Sequence, residues 1–295
     1  MEEPIVNERE RLHAEALRQG GVPIRSWWYK DNVLFTLFIN AASVGIPDAE
    51  RLVISTVREI TDHKRFPAME KQVADIIHEE TAHARVHDMY NEYLKSTGLE
   101  FEKYTRRGRI LDAFIERHFS LKTRLAVCST IEHFTASMAR QTLDTAIFEG
   151  RDVDERMDRI WTWHALEELH HRSTVFELYT AAGGGFLRRT YAVLIATALF
   201  IYMQHACFFS FMRQKGVLFD LHVWRAGLPH LFGSRGVYRH LFFDWLRLFR
   251  PSFRPEDIPV SNYLRRQLHH YHIEDELTAY LRPLVEVTPS QVRDR

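Results

Sequence analysis

This chain of 295 residues contains few cysteines and has no excess of charge of either sign. Its two cysteines, Cys128 and Cys207, lie in apolar stretches, which argues against a disulfide scaffold and is typical of a reducing compartment. The 39 basic and 39 acidic residues balance, so no overall field attracts a polyanion. We therefore expect no nucleic-acid partner.

Several familiar enzyme motifs are also absent from the sequence. No Gly-x-Ser-x-Gly elbow of a serine hydrolase occurs, and the glycines at 183–185 lack the Lys-Ser/Thr ending of a phosphate loop. The charged stretch that follows Met1 does not have the pattern of a secretory signal. We therefore expect a cytoplasmic protein.

Apolar residues recur with the 3.6-residue period of a helix, and no strand alternation persists anywhere. The hydrophobic share of 45% is ample for a large core. The predicted fold is all-α, with a break near Pro47 in the first long helix and a kink in the third. The long helices are expected at about 31–63, 68–97, 109–149 and 152–181.

The predicted organisation is a single domain with additions at both ends. Residues 1–30 are expected to form an N-terminal helix that ends in an aromatic cluster and packs on the bundle as a lid. Residues 31–182 are expected to form a ferritin-like, metal-binding four-helix bundle. Residues 183–295 are expected to extend the same domain with a hydrophobic helix and a basic, aromatic segment.

Two Glu-x-x-His motifs carry the strongest functional signal. They are Glu80-Thr-Ala-His83 and Glu168-Leu-His-His171. Residues three apart on a helix share one face, so each motif can present a carboxylate and an imidazole to one ion. Each motif also continues the apolar stripe of its helix, which predicts that these polar groups point into the core.

Glu50 and Glu132 are the charged members of two further apolar stripes. Burial of unpaired carboxylates is costly, and two divalent cations would balance four of them. A Glu from each of two helices and a Glu-x-x-His from each of two others is the ligand pattern of ferritin-like bundles. The predicted metal ligands are Glu50, Glu80, His83, Glu132, Glu168 and His171, and the four glutamates are also the predicted catalytic residues.

Residues beside these ligands allow more than one interpretation. His87 and His164 lie one turn from the motifs and are either additional ligands, groups that orient the ligands, or ordinary core histidines. Glu79 and Glu167 are rotated by about 100° from the ligands, which predicts an outer-face or orienting role. The histidine-rich run at 269–272 is interpreted as a solvated helix face.

The segment 191–212 contains no Asp, Glu, Lys or Arg over 22 residues. Its length would allow it to span a bilayer. Gln204 and His205 near its middle instead favour a fifth helix that closes the bundle, lines a substrate pocket or forms a homodimer contact. Arginines and aromatic residues after this segment are typical of a membrane interface, so peripheral membrane contact is the second expectation.

The clustered motifs resemble a bacterial family described as predicted metal-dependent hydrolases. The resemblance covers about 25–260, and it departs at Ala49, where we expect Gly, and at Arg254, where we expect His. The matching stretches are Pro47-Asp-Ala-Glu50, Glu79-Glu80-Thr-Ala-His83, Glu132-His-Phe-Thr-Ala136, Trp163-His-Ala-Leu-Glu-Glu168-Leu-His-His171 and Leu248-Phe-Arg-Pro251-Ser-Phe-Arg-Pro255.

The ligand set itself is similar to that of ferritin-like diiron oxidases. Ligation rich in carboxylate suits iron and manganese, so our main hypothesis is an oxidase or monooxygenase with two iron ions, or a manganese-iron pair. It would use O₂, an electron donor for monooxygenation, and a small aromatic or apolar substrate. The alternatives are a hydrolase in which two metal ions activate water, as the family description implies, and a non-catalytic metal-binding protein.

Overall fold

The computed structural model describes residues 24–62, 66–145, 147–148 and 152–257. This part of the chain is helical except for turns, loops and one isolated β-bridge between Tyr29 and Val153. The all-α prediction is confirmed. The helices are α1 (Val33–Asp62), α2 (Glu70–Ser96), α3 (Glu102–His118), α4 (Leu121–Thr145), α5 (Glu155–Ala181), α6 (Phe186–Gln214), α7 (Leu221–Phe232) and α8 (Val237–Arg247), with 3₁₀ turns at Pro67–Met69 and Pro255–Asp257.

Four long helices form the bundle that carries the candidate site. Helix α1 packs chiefly against α2 and α4 against α5, and the two pairs meet across the core. On α2 the buried side chains Val73, Ile76, Glu80, His83 and His87 follow one stripe. The polar residues therefore continue the apolar face into the interior, as the helical period predicts.

Helix α1 runs without interruption through Pro47, so the predicted break near that residue is wrong. A proline has no N–H to donate to the carbonyl four residues earlier, which here belongs to Ser43. The amide of Asn91 on α2 donates to that carbonyl oxygen at 2.9 Å instead. A side chain from the neighbouring helix thus replaces the missing intrahelical hydrogen bond.

The predicted kinked helix at 109–149 is two helices, α3 and α4, separated at Phe119 and Ser120. Phe119 has an extended backbone. Ser120 accepts hydrogen bonds from the first amides of α4, through its hydroxyl at 3.4 Å and its carbonyl at 2.8 Å from the N–H of Thr123. A serine in this capping position starts a new helix, and α3 becomes the crossover between the two halves of the bundle.

At the N-terminal side, the structure describes the predicted lid only from residue 24 onward. Residues 24–30 form turns rather than helix, and Trp28 and Tyr29 are buried in the core. The indole of Trp28 donates to Asn40 on α1 at 2.9 Å. The helix expected before residue 24 and the histidine run at 269–272 lie outside the described residues.

Helix α6 closes the bundle by packing on α1 and α4. Both α6 and the Val33–Ile60 stretch of α1 are long and apolar enough to cross a membrane by length and composition, which is weak evidence by itself. The α1 stretch is mostly buried as a core helix, whereas only 33% of the apolar window of α6 is buried. Leu187, Leu194 and Ile201 are among the apolar side chains that α6 exposes.

Candidate metal centre

The bundle brings all six predicted ligands into its interior, from α1, α2, α4 and α5. None of them is more than 4% exposed. Two groups of four residues place one ligand atom each within 4.8 Å of the others, and the groups share His83 and Glu168. They are Glu50, His83, His164 and Glu168, and Glu80, His83, Glu168 and His171. Overlapping groups of this kind can hold two neighbouring cations.

Glu132 belongs to neither group of four but faces the same charges. Burial and the nearby carboxylates of Glu80 and Glu168 raise the pKa of Glu132 well above its ordinary value. Its Oε2 atom is buried and has no hydrogen-bond partner among the described residues. Glu132 therefore lies beside the cluster with one oxygen available.

Several atoms of the cluster fit a bound cation. Within the described part of the chain, Oε1 of Glu80, both carboxylate oxygens of Glu168 and Nδ1 of His171 are buried without a hydrogen bond. Nδ1 of His171 and Oε1 of Glu80 lie 2.8 Å apart but lack hydrogen-bond alignment. An unsatisfied buried polar atom costs about 1–3 kcal/mol, and a divalent cation would satisfy these atoms together.

Each ligand histidine is held from behind by a glutamate of the opposite helix. Nε2 of His83 on α2 lies 2.9 Å from Oε2 of Glu167 on α5, and Nε2 of His171 on α5 lies 2.5 Å from Oε2 of Glu79 on α2. Trp163 donates its indole N–H to the other oxygen of Glu167 at 2.9 Å. When each Nε2–H donates outward, the Nδ1 lone pairs face the cluster.

A second chain of hydrogen bonds orients His164. The side-chain amide N–H of Asn91 donates to the Ser43 carbonyl oxygen. Its side-chain oxygen therefore faces the Ser43 hydroxyl and accepts a hydrogen bond from it at 2.9 Å. The hydroxyl must then accept from Nδ1 of His87 at 2.9 Å, and Nε2 of His87 accepts from Nδ1 of His164 at 2.8 Å. Nε2 of His164 is left with a lone pair, 3.0 Å from Oε1 of Glu168.

The structure thus distinguishes the two flanking histidines. His164 presents a ring nitrogen to the cluster. His87 lies behind it, and within the described part of the chain its two ring nitrogens contact Ser43 and His164 rather than a carboxylate of the cluster. Burial and the neighbouring imidazoles lower the pKa of His87 well below its ordinary value. Burial and His83 likewise lower the pKa of His164, so both rings are neutral, as the hydrogen-bond chain requires.

Sequence reasoning missed Ser43 and Asn91. Their signal was Pro47, because a proline inside a helix frees the carbonyl four residues before it, and that carbonyl needs a donor. The identity of the donor could not be read from the chain. Asn91 lies 48 residues away from Ser43 and reaches it only because α1 and α2 pack together.

Without cations, protons neutralise part of the cluster. Burial and the carboxylates of Glu80, Glu168 and Glu132 raise the pKa of Glu50 well above its ordinary value. Burial opposes a charge on His83, but hydrogen bonds with Glu167 and Glu80 outweigh it and raise the pKa of His83 to about 9. Cations bound here would take the place of these protons.

For Glu80 and His171 the mutual attraction outweighs desolvation. Burial opposes both charges, yet the nearby His171 holds the pKa of Glu80 well below its ordinary value. In the same way Glu80 and Glu79 raise the pKa of His171 well above its ordinary value. Glu80 and His171 therefore form a buried ion pair within the cluster.

A cavity of about 230 Å³ adjoins the cluster, with His164 and Glu168 in its wall. The remaining lining comes from α1, α3, α4, α5, α6 and α8 and from Phe148, and most of it is apolar. Asp48 and Asp112 are the other carboxylates that line it. The cluster is therefore connected to an apolar space that a small molecule could enter.

A family model described as predicted metal-dependent hydrolase matches residues 18–258. No curated protein and no solved structure matches this chain.

Proposed function

Since the chain belongs to the family of predicted metal-dependent hydrolases, we propose that it hydrolyses a small-molecule substrate with two cations held in the bundle core. The observation that carries the proposal is the pair of overlapping four-residue groups, whose buried ligand atoms lack hydrogen-bond partners among the described residues. Such atoms are destabilising unless a cation binds them. The family is described as metal-dependent, and bound metal ions would satisfy these buried atoms.

The proposed ligands are five of the six residues predicted from the sequence, Glu50, Glu80, His83, Glu168 and His171, with His164 as a sixth. Bound cations would supply Lewis acidity and a more acidic water molecule. Glu79 and Glu167 keep the ligand imidazoles oriented. The surrounding apolar side chains exclude bulk water and so strengthen every charge interaction at the site.

We assign the proton transfer to Glu132. Its buried Oε2 has no hydrogen bond within the described residues, and it stands outside both groups of four. It is buried beside Glu80 and Glu168, so its carboxylate can accept a proton close to the ligands. In the proposed hydrolysis it removes a proton from the attacking water and returns it to the leaving group.

An oxidative function is the second candidate. If Glu132 also binds a cation, four carboxylates and three imidazoles form the ligand set, and a set this rich in carboxylate suits iron or a manganese-iron pair. The protein would then be an oxidase or monooxygenase that uses O₂, an electron donor and a small aromatic or apolar substrate. What favours this candidate is the composition of the ligand set.

The two candidates differ in their need for oxygen. We would load the metal-free full chain with Zn(II) under argon and offer a panel of esters and amides. Hydrolysis under argon is the expected result. Absence of hydrolysis with Zn(II), Mn(II) and Fe(II), together with O₂ consumption by the Fe(II)-loaded protein in air, would instead establish the oxidative function.

The control for both assays removes the ligands themselves. The double variant Glu80→Ala and Glu168→Ala is expected to load no metal and to show neither activity. Retention of two metal ions per chain in this variant would mean that the ligands are misplaced. Uptake of many iron ions per wild-type chain, without turnover, would indicate a storage protein.

The proposed location is the cytoplasm, with peripheral contact to a membrane. The support is the outer face of α6, whose exposed apolar side chains include Leu187, Leu194 and Ile201. Exposed arginines stand at its two ends, at Arg188 and Arg213, and cationic residues of this kind attract anionic lipid headgroups.

A further inference from the structure

The cavity beside the candidate metal centre is long in comparison with its volume. On α1 its lining extends from Phe38 to Leu52, which is about 20 Å at the helical rise of 1.5 Å per residue. On α4 and α6 the lining extends over about 16 Å each, from Ile131 to Thr142 and from Ala196 to Cys207. A cavity of about 230 Å³ that is lined over that length by three helices is an elongated slot rather than a round chamber.

The chemistry of the wall changes along the slot. Small and aliphatic side chains make up much of it, among them Ala42, Ala49 and Met203. The metal-binding side is marked by His164 and Glu168. One region of the slot can therefore hold a reacting polar group, while most of the rest, apart from the carboxyl groups of Asp48 and Asp112, suits apolar atoms.

Gly45 helps to keep this slot open. It lies within α1 and lines the cavity, and a Cβ atom built on it would meet no other atom within 4 Å. A glycine inside a helix costs about 0.5–1 kcal/mol relative to alanine. The position therefore has room for a side chain, but the residue there is glycine, which leaves that space to the slot.

We propose that the slot binds one unbranched acyl chain of an ester substrate, with the ester group beside His164 and Glu168. An elongated, mostly apolar slot fits an extended alkyl chain. Only the placement of the ester rests on the proposed hydrolysis. In that reaction the oxygen of water joins the acyl carbon, the bond from that carbon to the alkoxy oxygen breaks, and the leaving alcohol gains the proton.

Chain binding can be measured without metal and without turnover. Isothermal titration of the metal-free full chain with the straight alcohols from hexanol to dodecanol should show affinity rising about fourfold per methylene, because burial of each CH₂ contributes about 0.8 kcal/mol. The rise should stop once the chain fills the slot. Absence of binding, or affinity that does not depend on chain length, would overturn the proposal.

Gly45 supplies a matched pair of variants. Gly45→Phe should weaken dodecanol binding at least tenfold because the ring fills the slot, whereas Gly45→Ala should bind it like the wild type. Unchanged binding by a folded Gly45→Phe protein, checked by its helical circular dichroism, would contradict the inference. If that variant does not fold, Ala42→Leu, which lines the slot one turn earlier, gives the same test with the same expected weakening.

The two proposals fail in different ways. Chain-length-dependent alcohol binding in a protein that hydrolyses no ester under argon would reject the hydrolase function and keep the alkyl-binding slot. Hydrolysis of short and long esters at equal kcat/KM, in a protein that binds no alcohol, would keep the hydrolase function and reject the slot.

Discussion

Glu167 on α5 accepts a hydrogen bond from Nε2 of His83 on α2 at 2.9 Å. The reciprocal contact joins Glu79 on α2 to Nε2 of His171 on α5. In both motifs the outer glutamate directly precedes a proposed ligand of its own helix and orients a ligand of the other helix. Glu79 and Glu167 thus link helices α2 and α5 by hydrogen bonds, and they determine which imidazole nitrogen of His83 and His171 faces the cluster.

The first prediction concerns this orienting contact. Glu167→Ala should weaken metal binding about 10–100-fold, the usual effect of losing a group that holds a metal ligand, measured by competition with a chromophoric chelator. Glu167→Gln retains an acceptor oxygen and should lose less. Glu177→Ala on the exposed face of the same helix is the control, and equal affinities in the two alanine variants would contradict the orienting role.

The second prediction is that metal binding releases protons and strengthens as pH rises. The pKa of His83 is raised to about 9, so His83 holds a proton at neutral pH in the cation-free protein. The pKa of Glu50 is raised well above its ordinary value, so Glu50 keeps its proton to a higher pH than an ordinary carboxyl group does. Cations must displace these protons. Calorimetric titration with metal in buffers of different ionisation enthalpy measures their number, and a number of zero at pH 7 would contradict the assigned directions.

The third prediction tests how Asn91 compensates for Pro47. Asn91→Leu leaves the buried Ser43 carbonyl without its donor and should lower the free energy of unfolding by about 1–3 kcal/mol. In a Pro47→Ala background the restored backbone N–H can donate to that carbonyl, so the same substitution should cost less. Urea unfolding of the four proteins gives the coupling, expected to be about 1 kcal/mol. Additive effects would mean that the two sites are independent.

The fourth prediction concerns Asp112, whose pKa is raised from 3.8 to about 7 by burial and by the nearby Asp48 and Glu116. The folded state keeps a proton that the unfolded chain loses above pH 4, so stability falls between pH 4 and 7 and the penalty persists above. Asp112→Asn should raise the free energy of unfolding at pH 8 by about 1–3 kcal/mol, allowing for solvent screening. At pH 4 it should change little, and an equal gain at both pH values would contradict the titration.

The fifth prediction addresses membrane contact. The full chain should co-sediment with vesicles that contain anionic phospholipid, and less so in high salt because the arginine contribution is screened. A variant with Leu194→Glu and Ile201→Glu on the outer face of α6 should lose this binding. Ile110→Glu, an equally exposed apolar position on α3, is the control. Vesicle binding that survives the double change would place the contact elsewhere.

Much of the fold was readable because helical periodicity is local. The inward placement of Glu50, Glu80 and Glu168 follows from apolar neighbours three and four residues away, and the structure buries all three. The separation of α3 from α4 was missed because the apolar pattern continues across it, and only the capping role of Ser120 marks the boundary. The continuity of α1 was missed because it depends on a residue of α2.

The sequence by itself determined the all-α class, the extent of α1, α2 and α5 to within a few residues, and the faces on which carboxylates and imidazoles lie, since each depends on residues within a few turns of one another. The tertiary structure decided which ring nitrogen of His83 and His171 is directed inward, which of His87 and His164 reaches the cluster, and that a mostly apolar cavity adjoins it. These features depend on the register and spacing between helices whose residues lie more than forty positions apart, and no local pattern encodes a distance of that kind.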